Sequence, residues 1–318
     1  MPKLPSPPSR RQFLASVGVL SVAGVAGCSG SDPNSESTQS EETPASTEST
    51  PARSVETLVS ISGDPVPENL AYGPSDELYF GITVGELRRV SNDQLGATDM
   101  ALADTEQVAS LPGEIGVETA PDGTAYVAVA SQDNAAGVWS ATADGTTDQL
   151  VNISAFPNNV LFDADRDRLL VTESQGGAVY AVTTDGTRST WLDDARLSVE
   201  GFGANGLTRD MDGSLYVAVT QTAEETGQLL EVPVIGDGTA GEPTVFYEGE
   251  AILGADGITS RDGSICVAAN SQNRVVQVGP DGSTTSIAHE EDGLVFPSDV
   301  TFGTVQQRET LFMCDFAN

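Results

Sequence analysis

Four residues with oxygen-bearing side chains recur at matching places along the chain: Glu68, Asn158, Asn205 and Asp256. Each stands near the start of a short apolar segment, in "PENLAY", "PNNVLF", "ANGLTR" and "ADGITS". Carboxylate and amide oxygens are hard donors, and the two carboxylates carry charge that balances a divalent cation. The set suits Ca²⁺ and could accept Mg²⁺ or Mn²⁺. A plainer reading stands beside it: Asn or Asp before glycine makes an Asx turn where a strand begins.

These residues belong to a phrase that the chain writes six times. Its copies begin "PENLAYGPSDELYFGIT", "EIGVETAPDGTAYVAVA", "PNNVLFDADRDRLLVTE", "GANGLTRDMDGSLYVAVT", "GADGITSRDGSICVAAN" and "PSDVTFGTVQQRETLFMCDF". Equivalent places are Glu68, Ile115, Asn158, Asn205, Asp256 and Ser298, a period of roughly 40–50 residues that marks propeller blades. Within a copy, a first strand runs into a turn, as at Asp122-Gly123, Asp212-Gly213 and Asp262-Gly263. Two-residue turns of this kind suit type I′ hairpins, with positive φ at both positions. An apolar second strand, a third strand and a variable fourth follow, and no sustained 3.6-residue period predicts long helices. The fold expected is all-β, a six-bladed β-propeller over residues 55–318. The last copy stops after its second strand, so Val55–Ile61 is expected to supply a closing strand to blade six, leaving that blade one strand short. First strands line a propeller's channel, so the recurring residues converge on its mouth.

The phrases "P-E-x-L", "P-N-N", "A-N-G-L" and "A-D-G-I", in this order, resemble the regucalcin/gluconolactonase (senescence marker protein) family of six-bladed propellers. The resemblance covers about residues 62–316. It implies a divalent metal held by Glu68, Asn205 and Asp256, with Asn158 toward the substrate. It also implies that Asp256 doubles as general base toward a lactone carbonyl polarised by the metal. Where lactonases of that family carry an arginine, two residues before the blade-three Asn, this chain has Phe156. Ile115 gives blade two no polar side chain at the mouth. A lipophilic lactone, another ester, or no substrate at all fits such a mouth better than a sugar lactone.

The N-terminal segment reads as an address. Arg10 and Arg11 precede a mildly apolar run that ends in Val25-Ala26-Gly27-Cys28. Paired arginines before such a run suit a twin-arginine export signal over residues 1–27, and Cys28 is the lipidation candidate of a lipobox. The alternative is that Cys28 is an ordinary small residue at a cleavage site. Residues 28–54 are rich in Ser, Thr and Glu and contain almost nothing to bury, so a disordered tether is expected. The expected location is the outer face of the cytoplasmic membrane, reached through the lipid anchor alone.

The chain has 47 acidic and 14 basic residues and a net charge of −33. Nucleic acids and anionic surfaces are therefore poor partners. An acidic surface of this kind keeps a protein soluble in molar salt, where charges are screened within about 3 Å, so a halophilic setting is the first reading and a cation-collecting polyanion the second.

Cys266 and Cys314 lie in apolar runs and read as buried thiols. His289, the single histidine, lies in the loop-like "IAHEEDG", and no G-x-S-x-G elbow accompanies it, so a serine triad has no support. Two function classes remain. One is a monomeric metal-dependent hydrolase of a small lactone or ester. The other is a non-catalytic propeller that binds a ligand or partner at the same mouth, with a structural metal or none.

Overall fold

The computed structural model describes residues 14–21 as a backbone strand and, with side chains, residues 54–63 and 65–316. Five regular four-stranded antiparallel sheets span residues 67–110, 116–152, 157–193, 204–249 and 255–288, called blades one to five below. In each, the strands lie side by side in chain order. The innermost strands pack on one another in sequence, and the last of the chain, Pro297–Phe302, packs against both blade five and blade one. The ring is therefore closed, and the fold is an all-β propeller. All described helices are three-residue 3₁₀ turns.

The core explains the composition of the strands. Six apolar clusters lie where neighbouring sheets face one another. A second strand is covered on both faces, so "LYFGI", "AYVAV" and "LYVAV" are buried at every position. Continuous apolar runs, not alternating ones, are what two-sided burial selects. Phe80 and Phe312 are wholly buried together between blade one and the closing sheet. Side chains of this size contribute about 2–3 kcal/mol each on full burial.

The turns correct one expectation. Only Asp262-Gly263 has positive φ at both positions, 52° and 75°. At the other two turns glycine alone is left-handed, with Gly123 at 88° and Gly213 at 92°. There the loop is one residue longer: the Ala120 amide donates to Thr124 and the Asp210 amide to Ser214. A type I turn followed by left-handed glycine gives this loop, and Asp122 and Asp212 accept the Thr124 and Ser214 amides.

The closing sheet is mixed. Its order is Pro297–Phe302, Thr310–Asp315, Leu14–Ser21, Val55–Ser62 and the short Met100–Ala101. Val55–Ser62 joins it as expected, but the sheet is not short of a strand. Leu14–Ser21, from the segment read as an export signal, pairs antiparallel with Thr310–Asp315 on one side and with Val55–Ser62 on the other. Pairing there satisfies the backbone N–H and C=O groups that Thr310–Asp315 presents on the side away from Pro297–Phe302. Cys28, Arg10, Arg11 and residues 28–53 of the tether lie outside the described residues.

Candidate functional site

The recurring residues are delivered by β-bulges. In blades one, three, four and five the first strand gains one residue on its neighbour, between Pro67 and Leu70, Pro157 and Val160, Ala204 and Leu207, and Ala255 and Ile258. Glu68, Asn158, Asn205 and Asp256 are the first residues inside these bulges. An extra residue bends a strand and re-aims its side chain, and such bulges cluster beside active sites. The closing sheet shifts likewise between Pro297 and Asp299. Blade two does not: Gly116 to Thr119 pair with Ala128 to Ala125 without a break.

Glycines let the bulges crowd together. A Cβ on Gly206 would fall against the Asp256 carbonyl oxygen, and one on Gly116 against that of Asn158. One on Gly257 would fall into the Asp299 carboxylate. These contacts bring the first strands of blades two and three, of blades four and five, and of blade five and the closing sheet close together.

Asp256 and Asn205 come together there. The Asn270 amide donates to Asp256 Oδ2 at 2.9 Å, and Asn205 also hydrogen-bonds the carboxylate. Asn205 Nδ2 lies 3.0 Å from Thr220 Oγ1 as well. Burial pushes Asp256 up to about 7, against the pull of these two amides. Glu68 is held well above the usual carboxylate range, first by burial, then by the charges of Asp256, Glu114 and Asp299. The structure thus brings Glu68, Asn205 and Asp256 into one electrostatic unit. Asn158 stands apart. Its amide donates to Ser174 Oγ at 3.0 Å, and Ser174 in turn donates to the Ala204 carbonyl, next to Asn205.

Two acidic residues of this unit escape a reading by equivalent positions. Glu114 precedes the blade-two place held by Ile115, and Asp299 follows the blade-six place held by Ser298. Glu114 is 1% exposed, and neither of its carboxylate oxygens has a hydrogen-bond partner. It lies over Gly81, where any Cβ would collide with it. Asp299 accepts the Leu70 amide at 2.8 Å. Burial raises both acids, and the Asp299 charge raises Glu114 further. Gly81 in the middle of an otherwise large-residue strand was the available signal for Glu114. Among the described residues no group of three or more His, Cys, Asp or Glu is arranged to hold a metal ion. The Glu68, Asn205 and Asp256 set contains two carboxylates and one amide, and its oxygens match a hard cation.

The rim is apolar in places. Phe156 meets Phe202 edge-on with ring centroids 4.9 Å apart, and Phe296 stacks with Phe316 at 5.2 Å. Phe202 and Phe296 remain 43% and 40% exposed. A cleft of about 570 Å³ beside Phe156 is lined by Ser131, Gln132, Asp133 and Gln175. Deeper, a cavity of about 230 Å³ holds Glu118, Asn159, Thr208 and Asp299 along the channel. His289 caps the turn Glu290–Asp292 at the surface and takes no part. Cys266 and Cys314 are buried thiols.

No protein-family model and no curated protein matches the chain. Solved structures do resemble it. A gluconolactonase of Xanthomonas campestris aligns with a TM-score of 0.59 at 17% identity, over 79% of this chain and 86% of that one. Regucalcin of Agrobacterium tumefaciens, a calcium-binding protein, gives 0.56 at 15% identity, over 80% and 93%. A chain of the nidogen/laminin complex gives 0.60 at 14% identity, over 89% and 95%. These likenesses span a lactonase, a calcium binder and a component of a protein complex, and what they share with this chain is the propeller fold.

Proposed function

We propose that the channel mouth is a divalent-cation site of the regucalcin/gluconolactonase kind and that it hydrolyses a lactone or ester. We count the mixed closing sheet as the sixth blade. Glu68, Asn205 and Asp256 would hold the ion, with Ca²⁺ the best match to their oxygens. The ion, when bound, supplies a Lewis acid toward the substrate carbonyl. Asp256 is the base, a carboxylate able to accept a proton from water. The Asn270 and Asn205 amides fix its orientation. A water oxygen attacks the carbonyl carbon while Asp256 takes the water proton. The carbon–oxygen bond to the leaving alkoxide then breaks, and the proton passes to that oxygen, giving a hydroxy acid from a lactone or an acid and an alcohol from an ester.

The observation that carries this reading is the grouping of Glu68, Asn205 and the amide-held Asp256, all delivered by bulges to one end of the channel. Asn158, on the same ring, faces the substrate side, with Phe156 and Phe202 favouring an apolar acyl or alkyl arm over a sugar. The test is a panel of aliphatic lactones and esters with Ca²⁺, using wild type and Asp256→Asn. Turnover that falls by 100-fold or more in the variant, with little change in folding, supports the proposal; an inert wild type overturns it.

A second reading is favoured by one feature. Blade two contributes Ile115 to the mouth, and the aromatic pairs make much of the rim apolar, as suits a surface that binds without turning over. An ion at Glu68 and Asp256 would then be structural. We further propose export through Arg10 and Arg11 and anchoring at Cys28. Processing there removes Leu14–Ser21 from the closing sheet, so the intact mass of the membrane-bound protein decides between a lipid-modified Cys28 terminus and a retained N-terminal strand.

A further inference from the structure

We propose that a cleft between blades three and four binds a small organic cation that carries N–H donors, such as a primary diamine. The cleft has a volume of about 690 Å³ and lies between the connector Ala195–Glu200, which follows blade three, and the loop Gln221–Glu225 of blade four. A volume of this size takes a small molecule. The connector runs on through Phe202 into Asn205, so the cleft opens at the mouth end of the ring, yet Glu68, Asn205 and Asp256 do not line it. Its walls carry Glu200, Glu224 and Glu225, all exposed, against Arg196 alone. Arg196 is already engaged: its guanidinium donates to both oxygens of Asp194, at 2.8 and 2.7 Å, and to the Pro243 carbonyl at 3.0 Å. The charge left over in the cleft is negative.

Acidic walls alone would not make a site; the buried member of the lining points to a ligand. Gln228 is 5% exposed and lines the cleft. On the strand Gly227–Val232 it shares a face with Leu230 and Val232. Those two pack in one cluster with Leu170, Val179 and Trp191 of blade three, so Gln228 is directed toward blade three, where the cleft lies. Its amide nitrogen donates to Glu248 Oε2 at 2.7 Å. That bond fixes the amide's orientation, because the reverse one would set two acceptors against each other. Its Oε1 is left with no hydrogen-bond partner, a costly state for a buried amide oxygen. The loop above is already shaped: the Thr222 amide donates to the Thr226 carbonyl at 2.7 Å and the two hydroxyls meet at 2.7 Å, with Glu224 and Glu225 held between them. An ammonium group answers both demands, since an N–H supplies Gln228 Oε1 and the charge faces the glutamates. A second amine on a short chain reaches another carboxylate. A metal ion fits less well, because one neutral amide oxygen is the buried donor it would find.

This site does not depend on hydrolysis at the mouth, so a protein inert toward every lactone still allows the test. Wild type is titrated calorimetrically with 1,4-diaminobutane in molar KCl, where screening within about 3 Å suppresses loose attraction to a polyanion. Tetramethylammonium, a cation without N–H groups, is titrated in parallel. We expect saturable binding of one diamine per chain and no binding of tetramethylammonium. Gln228→Met keeps the side chain's volume and removes the acceptor. It should weaken the diamine by about tenfold or more, as for a lost charge-assisted hydrogen bond. Glu224→Gln combined with Glu225→Gln, at exposed loop positions, should weaken it as well, and this variant decides alone if Gln228→Met does not fold. No saturable diamine binding in wild type overturns the proposal, as does equal binding of tetramethylammonium. Unchanged affinity in both the Gln228 variant and the paired glutamate variant overturns it too.

Discussion

Blades five and two meet the channel in opposite ways. In blade five a bulge presents Asp256 with two amides already in hydrogen-bonding reach, and Gly257 makes room for Asp299 behind it. In blade two the ladder is regular, the mouth position is Ile115, and the acid arrives one residue earlier as Glu114, with no donor at all. A bulge thus delivers a side chain together with its support. The regular strand of blade two leaves the neighbouring acid, Glu114, without a donor.

The comparison can be broken at its packing. Gly206→Ala puts a methyl group against the Asp256 carbonyl, where rigid backbone has to move. We expect a loss of about 3 kcal/mol in denaturant unfolding, as for overpacked cores, with Asp256 displaced and calcium binding weakened. An unchanged stability would mean that the bulges do not interlock.

It can be sharpened by pH. Glu118, on the first strand of blade two, is pushed up to about 7 by burial, with the Thr119 and Phe162 amides opposing. Its folded value lies above its unfolded one, so its contribution is complete below about pH 4.3 and is lost as pH rises through about 7. With chelator present, unfolding free energy should fall by about 3 kcal/mol between pH 4.5 and 8 from this group. Glu118→Gln should flatten that part of the slope, and identical profiles for both proteins would remove Glu118 from the account. The smallest effect is expected at the mouth of blade two: Ile115→Ala, at a half-buried position, should cost less than about 1 kcal/mol. A larger loss would show that blade two's mouth residue is structural after all.

Much of the propeller could be read from the six copies of one phrase, because second strands buried on both faces must be continuous apolar runs. Glu68, Asn205 and Asp256 were legible for the same reason, each occupying the same place in its copy. The bulges were not, since one added residue in a ladder leaves no mark in composition, and yet it sets which side chain faces the channel. Glu114 and Asp299 each fall one residue from the repeated place, and in a strand one residue changes the face. The segment around Leu14–Ser21 shows another limit. A run of Val, Leu, Ala, Gly and Ser serves equally as the apolar stretch of a signal and as a strand.

That strand changes what ring closure means. Because Leu14–Ser21 runs antiparallel to both neighbours, Thr310–Asp315 and Val55–Ser62 point the same way with one strand's width between them. Successive strands sit about 4.8 Å apart, so its withdrawal would leave two facing edges roughly 10 Å from each other. They could then rejoin only as a parallel pair, unlike every ladder of blades one to five. The propeller behaves like a hoop with one keyed stave: cutting the chain before Cys28 removes the strand that bridges its two facing edges.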